Sequence, residues 1–146
     1  MRIVIDTNIW VSGLLWQGDA WKLLTLADEG HLEICIAYPM LLELEEVLAY
    51  DRLQNRLATL QETPAQLAAY ALSISSLFNV SRSGPPIVNE DPDDDIFLLC
   101  AVAAEASFVV TNDKHLLALG SYEGIPIVKV EDFWQERERK MHSPGK

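Results

Sequence analysis

Positive charge is scarce in this chain of 146 residues. It carries 11 Lys and Arg residues against 22 Asp and Glu residues, which gives a formal net charge of −11. A charge of that sign argues against broad, non-specific adhesion to nucleic acids or anionic membranes, because both are themselves negative. An RNA substrate would therefore need a local basic strip or a basic protein partner.

Cysteines and long apolar runs are scarce as well. Cys35 and Cys100 are the two cysteines, and such scattered residues provide neither a disulfide framework nor zinc-ligand spacing. We expect buried free thiols, which suit a reducing cytoplasm. Asp6 interrupts the first apolar run, so no secretory signal is expected, and no run approaches the roughly 20 apolar residues that cross a bilayer. A cytoplasmic protein without a membrane partner is predicted.

Several catalytic motifs are also missing, namely a Gly-rich phosphate loop, a GxSxG motif and a paired Cys/His ligand set. The chain is 49% hydrophobic and long enough to form one compact domain with its own core. We assign residues 1–136 to that domain and expect 137–146 to be a flexible tail.

Short β-like runs alternate with helical segments along the chain. Strands are expected at residues 2–6, 32–37, 107–111 and 125–130. Helices are expected at residues 20–29, 39–50, 64–77, 92–105, 113–119 and 131–139. The capping box from Thr63 to Gln66, with Pro64 at the first helical position, sets the most secure boundary. The alternation predicts a three-layer α/β/α domain with a central, mostly parallel sheet, and the helices after the second strand would form an arm beside the strand ends.

Four acidic clusters lie where strands should end or helices begin: Asp6, Glu43, residues 91–95 and Asp113. Ligands bind at the carboxyl ends of strands in open α/β sheets. Carboxylates that converge there repel one another unless a cation lies between them, and ligand sets made of oxygen suit Mg²⁺ or Mn²⁺. The pattern predicts a metal-dependent phosphodiester chemistry.

A structural interpretation competes at Asp6 and at Asp113. Asp6 ends an apolar strand, where an unpaired carboxylate is costly to bury, but it could instead cap a helix that begins at Thr7. Asp113 could likewise cap the short helix that follows it. The matching positions of the two residues after strands favour a functional role.

Glu43 and the aspartates before residue 96 are equally ambiguous. Glu43 could belong to a solvated helix face, but its spacing to Val47 puts it at the edge of the apolar stripe. Asp91 would be a helix N-cap, and acidic residues are favoured in a first turn. Asp94 and Asp95 both lie within a turn of the apolar face, and the sequence does not separate them.

Three tryptophans, Trp10, Trp16 and Trp21, cluster early in the chain. Aromatic residues are enriched in interface cores, so the cluster predicts self-association. Ordinary core packing is the alternative.

Taken together, the motifs resemble the PIN domain, the acidic-site nuclease fold of many VapC-type toxins of toxin–antitoxin systems. The similarity covers nearly the whole chain and depends on DTN followed by Ser12, the central ELEEVL, DPDDDIFLLCA, and TND before a short helix. Asn112 stands where many relatives have Gly or Arg.

The resemblance implies an endoribonuclease that hydrolyses single-stranded RNA with one or two Mg²⁺ or Mn²⁺ ions. The implied metal ligands and catalytic residues are Asp6, Glu43, Asp94 or Asp95, and Asp113, with Asp95 placed in the catalytic set. The implied supporting residues are Thr7, Asn8, Ser12 and Thr111. It also implies a homodimer and a protein antitoxin. Two other functions compete with this one. The first is a phosphotransfer enzyme with Asp6 as nucleophile; such enzymes normally have an acidic residue two positions later, where this chain has Asn8. The second is a catalytically silent binding module.

Overall fold

The computed structural model describes residues 1–80, 87 and 94–142, and it has a six-stranded sheet in the order β3-β2-β1-β4-β6-β5. The strands are β1 (Arg2–Ile5), β2 (Glu33–Ala37), β3 (Ser75–Phe78), β4 (Phe108–Val110), β5 (Ser121–Tyr122) and β6 (Ile125–Val128). All neighbouring strands are parallel except β5 and β6, which form an antiparallel pair. The central strand β1 is thus flanked by β2 and β4, and the mostly parallel sheet of the three-layer α/β/α prediction is confirmed.

Helices cover both faces of this sheet. They are α1 (Thr7–Leu15), α2 (Asp19–Asp28), α3 (Tyr38–Leu48), α4 (Gln54–Leu60), α5 (Pro64–Ser73), α6 (Asp95–Ala103), α7 (Lys114–Leu117) and α8 (Val130–Met141), with a 3₁₀ turn at Asp51–Leu53. The capping box forms as predicted: Gln66 N donates to the Thr63 hydroxyl at 3.1 Å, and Thr63 N donates to the Gln66 side chain at 2.9 Å.

The predicted helix over residues 64–77 is too long. It ends at Ser73, and β3 then pairs in parallel with β2. Serine hydroxyls compete with the backbone of the last turn: Ser73 Oγ donates to Tyr70 O at 2.6 Å, and Ser75 Oγ donates to Ala71 O at 2.7 Å. The chain therefore leaves the helix early and adds an edge strand that its apolar pattern did not indicate.

Helix α1 is absent from the sequence-based assignment because its apolar residues are nearly continuous and show no clear helical period. It packs closely on α2 at Gly13. A Cβ atom there would lie 2.8 Å from Leu24 Cδ1 and 3.0 Å from Ala20 O, so glycine permits the close approach of the two helices.

At the C-terminus, α8 continues to Met141, so residues 137–141 are helical. The ion pair between Arg139 and Glu136, at 2.8 Å and one turn apart, supports this extension. The predicted start of the helix at Asp91 lies outside the described residues; the described part of α6 begins at Asp95.

Burial distinguishes the roles of the three tryptophans and of the apolar residues on α3. Trp10 is buried, whereas Trp16 and Trp21 are 45% and 44% exposed, so the three tryptophans do not share one role. On α3 the buried residues are Met40, Leu44 and Leu48, whereas Leu42 is 51% exposed.

Both cysteines are buried free thiols, as predicted. Burial raises the pKa of Cys35 to about 11 and that of Cys100 to about 12, so neither is a reactive thiolate at neutral pH. Among the described helices, none combines the length and apolar character needed to span a membrane.

Candidate functional site

Asp6 is the residue that joins β1 directly to α1. Its backbone N donates to Val110 O at 3.3 Å and so extends the pairing of β1 with β4. Its carboxylate Oδ1 accepts from Ile9 N at 2.9 Å, which makes Asp6 the N-cap of α1. The side chain is 5% exposed. Asp6 therefore caps α1, as the structural interpretation proposed. The cap uses one carboxylate oxygen and leaves the other for a different partner.

Thr111 connects that second oxygen to the next strand. Its hydroxyl donates to Asp6 Oδ2 and accepts from Asp113 N at 2.9 Å. Thr111 is fully buried, at the residue directly after β4. Because β1 and β4 are adjacent and parallel, the residues that follow them meet at one edge of the sheet, and Thr111 holds Asp6 and Asp113 together there.

Asp113 also caps a helix, as the structural interpretation proposed. Its Oδ1 accepts from His115 N at 2.8 Å and from Leu116 N at 3.1 Å, at the first turn of α7. The helix fixes the orientation of the carboxylate, and the half-exposed side chain faces the same edge as Asp6.

Glu43 comes to this edge from α3. The Thr7 hydroxyl, on the first residue of α1, donates to Glu43 Oε2 at 2.8 Å. Glu43 is half-buried, whereas Glu45 and Glu46 are exposed, so its predicted position at the edge of the apolar stripe is confirmed. Thr7 and Thr111 thus each orient one acidic side chain.

Asp94 and Asp95 lie at the start of α6, which packs against β1 and β2. Asp95 is 7% exposed, and its Oδ2 accepts from Ile87 N at 2.8 Å. Asp94 is half-buried. Asn8 and Ser12 are both exposed on α1, where their spacing of four residues puts them on one face of the helix.

The electrostatics of the site centre on Asp6. Burial raises the pKa of Asp6 above its ordinary value, and the charges of Asp113 and Glu43 raise it further. The hydrogen bonds from Thr111 and Ile9 act in the opposite direction, since they stabilise the charged form. The sequence predicted repulsion between converging carboxylates, but removal from water is the larger cause of the raised pKa of Asp6. The hydrogen bonds through Thr7 and Thr111 place Asp6, Glu43 and Asp113 at one edge of the sheet, and the effect of the other two charges on the pKa of Asp6 agrees with this arrangement.

The donor chemistry suits a hard divalent cation, because the converging groups offer oxygen atoms only. Within residues 1–80, 87 and 94–142, no three acidic, histidine or cysteine side chains are arranged as a ready metal cluster. Mg²⁺ does not require one, since it usually keeps several waters and binds through one or two carboxylates together with substrate phosphates. The buried, doubly hydrogen-bonded Asp6 beside two other acids fits that mode of binding.

One feature next to this edge escaped the sequence-based reasoning. Glu43 also lines an open groove along α3 that reaches Tyr50, which is 46% exposed. The sequence contains a signal for this groove, because Glu43, Glu46 and Tyr50 are three and four residues apart and so lie on one helix face. The sequence-based interpretation of Glu43 considered only its position relative to the apolar stripe.

Comparison with known proteins provides independent information. The family model described as the PIN domain matches residues 2–115. The crystal structure of VapBC2 from Rickettsia felis, bound to a DNA fragment from their promoter, contains a chain that is 19% identical, with a TM-score of 0.54 over 88% of this chain and 98% of that one. PAE2754 from Pyrobaculum aerophilum is 15% identical, with a TM-score of 0.55 over 93% and 97% of the two chains. Among curated proteins no significant sequence match was found.

Proposed function

The chain belongs to the PIN domain family, and from that premise we propose that it is a divalent-metal-dependent endoribonuclease that hydrolyses single-stranded RNA. The convergence of Asp6, Glu43 and Asp113 at the carboxyl edge of a parallel sheet is the observation that carries the proposal. This edge is where ligands bind in open α/β folds.

Asp6, Glu43 and Asp113, with Asp94 or Asp95, would hold one or two Mg²⁺ or Mn²⁺ ions. When bound, such an ion supplies a nucleophilic water at neutral pH and stabilises the charge that develops on the leaving oxygen. The carboxylates would orient that water, and the positive charge of the ion would offset their repulsion of the RNA phosphate. Thr7 and Thr111 keep Glu43 and Asp6 in position, as supporting groups of a metal site do.

The contacts of Asp6 weigh against the phosphotransfer alternative. A nucleophilic carboxylate must present a free oxygen to phosphorus, whereas both oxygens of Asp6 accept hydrogen bonds and the side chain is nearly buried. Residue Asn8 also lacks the acid expected two positions after such a nucleophile. A ligand role uses the remaining lone pairs of the same oxygens and requires less exposure.

Cleavage of end-labelled single-stranded RNA by the purified protein tests the proposal. We expect cleavage with Mn²⁺ or Mg²⁺ and none with EDTA. Because water attacks, the products should carry a 5′-phosphate and a free 3′-hydroxyl. Products with a 2′,3′-cyclic phosphate would mean that the ribose hydroxyl attacks and that the proposed chemistry is wrong.

We also propose that this nuclease is the toxin of a type II toxin–antitoxin pair in the cytoplasm. The fold similarity to a chain of the VapBC2 complex supports this role. A basic antitoxin segment lying over the acidic cleft would complement the net charge of −11. Expression of the chain alone should arrest growth, and co-expression of its antitoxin should restore growth.

A homodimer completes the proposal. The exposed rings of Trp16 and Trp21 offer the aromatic surface that interface cores favour. Sedimentation should detect a dimer at micromolar concentration, and the double variant Trp16→Ala/Trp21→Ala should shift it toward monomer. A wild-type protein that stays monomeric at high micromolar concentration would remove this part of the proposal.

A further inference from the structure

A groove of about 370 Å³ runs along α3 from Glu43 to Tyr50. Glu43, Glu46 and Tyr50 lie three to four residues apart, so their side chains follow one face of the helix. Tyr50 comes just after α3, but its backbone N donates to Val47 O at 3.0 Å and continues the turn. Ile96 of α6 forms part of the opposite wall. The groove therefore begins at a residue of the candidate site and leads away from it.

The groove combines apolar surface with negative charge. Tyr50 and Leu42 are 46% and 51% exposed, so an aromatic ring and an aliphatic side chain are accessible to a ligand. Glu43 is engaged by the Thr7 hydroxyl, whereas Glu46 is exposed. A phosphate would be repelled by these carboxylates, but an uncharged planar group that donates hydrogen bonds would match the lining.

An unpaired nucleobase has those properties, since it stacks on aromatic side chains and donates hydrogen bonds from its edge. Resting on the proposed ribonuclease function, we propose that this groove is a base-binding subsite: a base next to the scissile phosphate stacks on Tyr50 and presents its Watson–Crick edge to Glu46. Tyr50 and Glu46 are then specificity-determining residues, and neither takes part in the chemical step.

The chemistry of a carboxylate selects among the four bases. A carboxylate only accepts hydrogen bonds, and guanine is the base whose Watson–Crick edge has two adjacent donors, N1–H and the N2 amino group. Adenine and cytosine each place an acceptor beside their amino group, and uracil has one donor between two acceptors. The subsite therefore prefers guanine.

Arg52, in the 3₁₀ turn that follows α3, supplies a positive charge beside Tyr50. Its guanidinium carbon lies over one face of the Tyr50 ring, 5.7 Å from the centre, so the base would stack on the other face. At this position it can contact a phosphate that flanks the stacked base. A bound strand would thus meet acidic side chains on α3 and a basic side chain in the turn that follows it, which suits a protein whose overall charge opposes RNA.

Binding of fluorescein-labelled single-stranded RNAs, measured by anisotropy with Mn²⁺ in an Asp6→Asn background that prevents cleavage, tests this subsite. The probes are an oligouridine and the same oligomer with one guanine, adenine or cytosine. Adding Tyr50→Ala should weaken binding of the guanine probe about 5- to 160-fold, the contribution of one stacked base, whereas Tyr50→Phe should preserve it. Adding Glu46→Gln should abolish the preference for guanine.

Matched controls separate the subsite from general effects. Tyr70→Ala removes an exposed tyrosine of α5 that lines a different cavity, and Glu45→Gln removes an equal charge on α3 outside the groove. Both should leave binding and base preference unchanged. Equal affinity of the Tyr50→Ala variant and its parent, or a guanine preference that survives Glu46→Gln, would overturn the inference.

The outcome also distinguishes this inference from the proposed function. If the wild-type protein cleaves RNA but Tyr50→Ala changes neither binding nor KM, the subsite alone is wrong. If the wild-type protein neither binds nor cleaves any of the probes, the ribonuclease proposal fails and the subsite fails with it.

Discussion

The hydroxyl of Thr111 donates a hydrogen bond to the carboxylate of Asp6 across 105 positions of sequence. The same hydroxyl accepts from the backbone of Asp113 at 2.9 Å. One buried oxygen atom therefore connects the residues that follow β1 and β4, and it orients a carboxylate of the candidate site. Loss of this hydroxyl should affect both stability and activity.

For Thr111→Val we expect a loss of about 1–3 kcal/mol in the free energy of unfolding, because a buried carboxylate oxygen and a backbone N–H each lose a partner. Valine keeps the β-branched shape, so packing changes little. Thr111→Ser retains the hydroxyl and should recover most of the stability. Urea denaturation of the three proteins measures the effect, and a valine variant as stable as the wild type would show that the bridge contributes nothing.

Asp6→Asn should abolish cleavage while the fold survives. Asparagine caps helices about as well as aspartate, so the hydrogen bond from Ile9 N is retained. The substitution removes one ligand charge, and metal-dependent activity should fall below detection. RNA cleavage and circular dichroism of the same preparation provide the comparison. Full activity in a folded Asp6→Asn protein would exclude the metal-ligand role and leave Asp6 as a cap only.

The same substitution should change how stability depends on pH in the presence of EDTA. Burial raises the pKa of Asp6, so the folded protein retains this proton over a pH range in which the unfolded chain has lost it. The free energy of unfolding should therefore fall as pH rises from the ordinary pKa of aspartate through the folded value, and this penalty persists above it.

Asp6→Asn lacks the titration, so its stability relative to the wild type should increase across that window and then level off. Denaturation midpoints at a series of pH values give the difference. Glu45→Gln, an exposed change on α3, serves as the control and should show no comparable trend. A constant difference between Asp6→Asn and wild type at every pH would contradict the assignment.

Mn²⁺ should stabilise the wild-type protein relative to EDTA. Binding to the folded state alone adds about 2.7 kcal/mol at a ligand concentration of 100 times the Kd, which corresponds to a rise of roughly 5–10 °C in Tm for a domain of this size. Asp6→Asn should reduce this rise. Identical melting curves with EDTA and with millimolar Mn²⁺ would count against a metal site.

Much of the site could be predicted from the sequence because it depends on strand ends. Asp6 and Asp113 each follow an apolar run, and parallel strands bring such positions to one edge. The roles of Asp6 and Asp113 as helix caps were recognised only as alternatives, since a cap and a ligand use the same residue type. Each of the two aspartates caps a helix and also belongs to the acidic cluster.

Other features depend on tertiary contacts that local patterns do not encode. Strand β3 exists because its backbone pairs with β2, although its residues extend the apolar pattern of α5. Helix α1 shows no clear amphipathic period because it is buried on several sides. Gly13 lowers the helix propensity of this segment further. Burial is the main cause of the raised pKa of Asp6. It could not be predicted from the sequence, because it depends on which residues pack around the end of β1.

The bridge through Thr111 has a consequence for synthesis on the ribosome. Asp6 leaves the exit tunnel 105 residues before Thr111, and its second carboxylate oxygen acquires its partner only when Thr111 has emerged and β4 has paired with β1. Until then the acidic edge lacks both the orienting hydroxyl and Asp113. A nascent chain therefore carries an incomplete site while the residues between β1 and β4 are made, and the order of the strands delays assembly of the site until β4 has been synthesised.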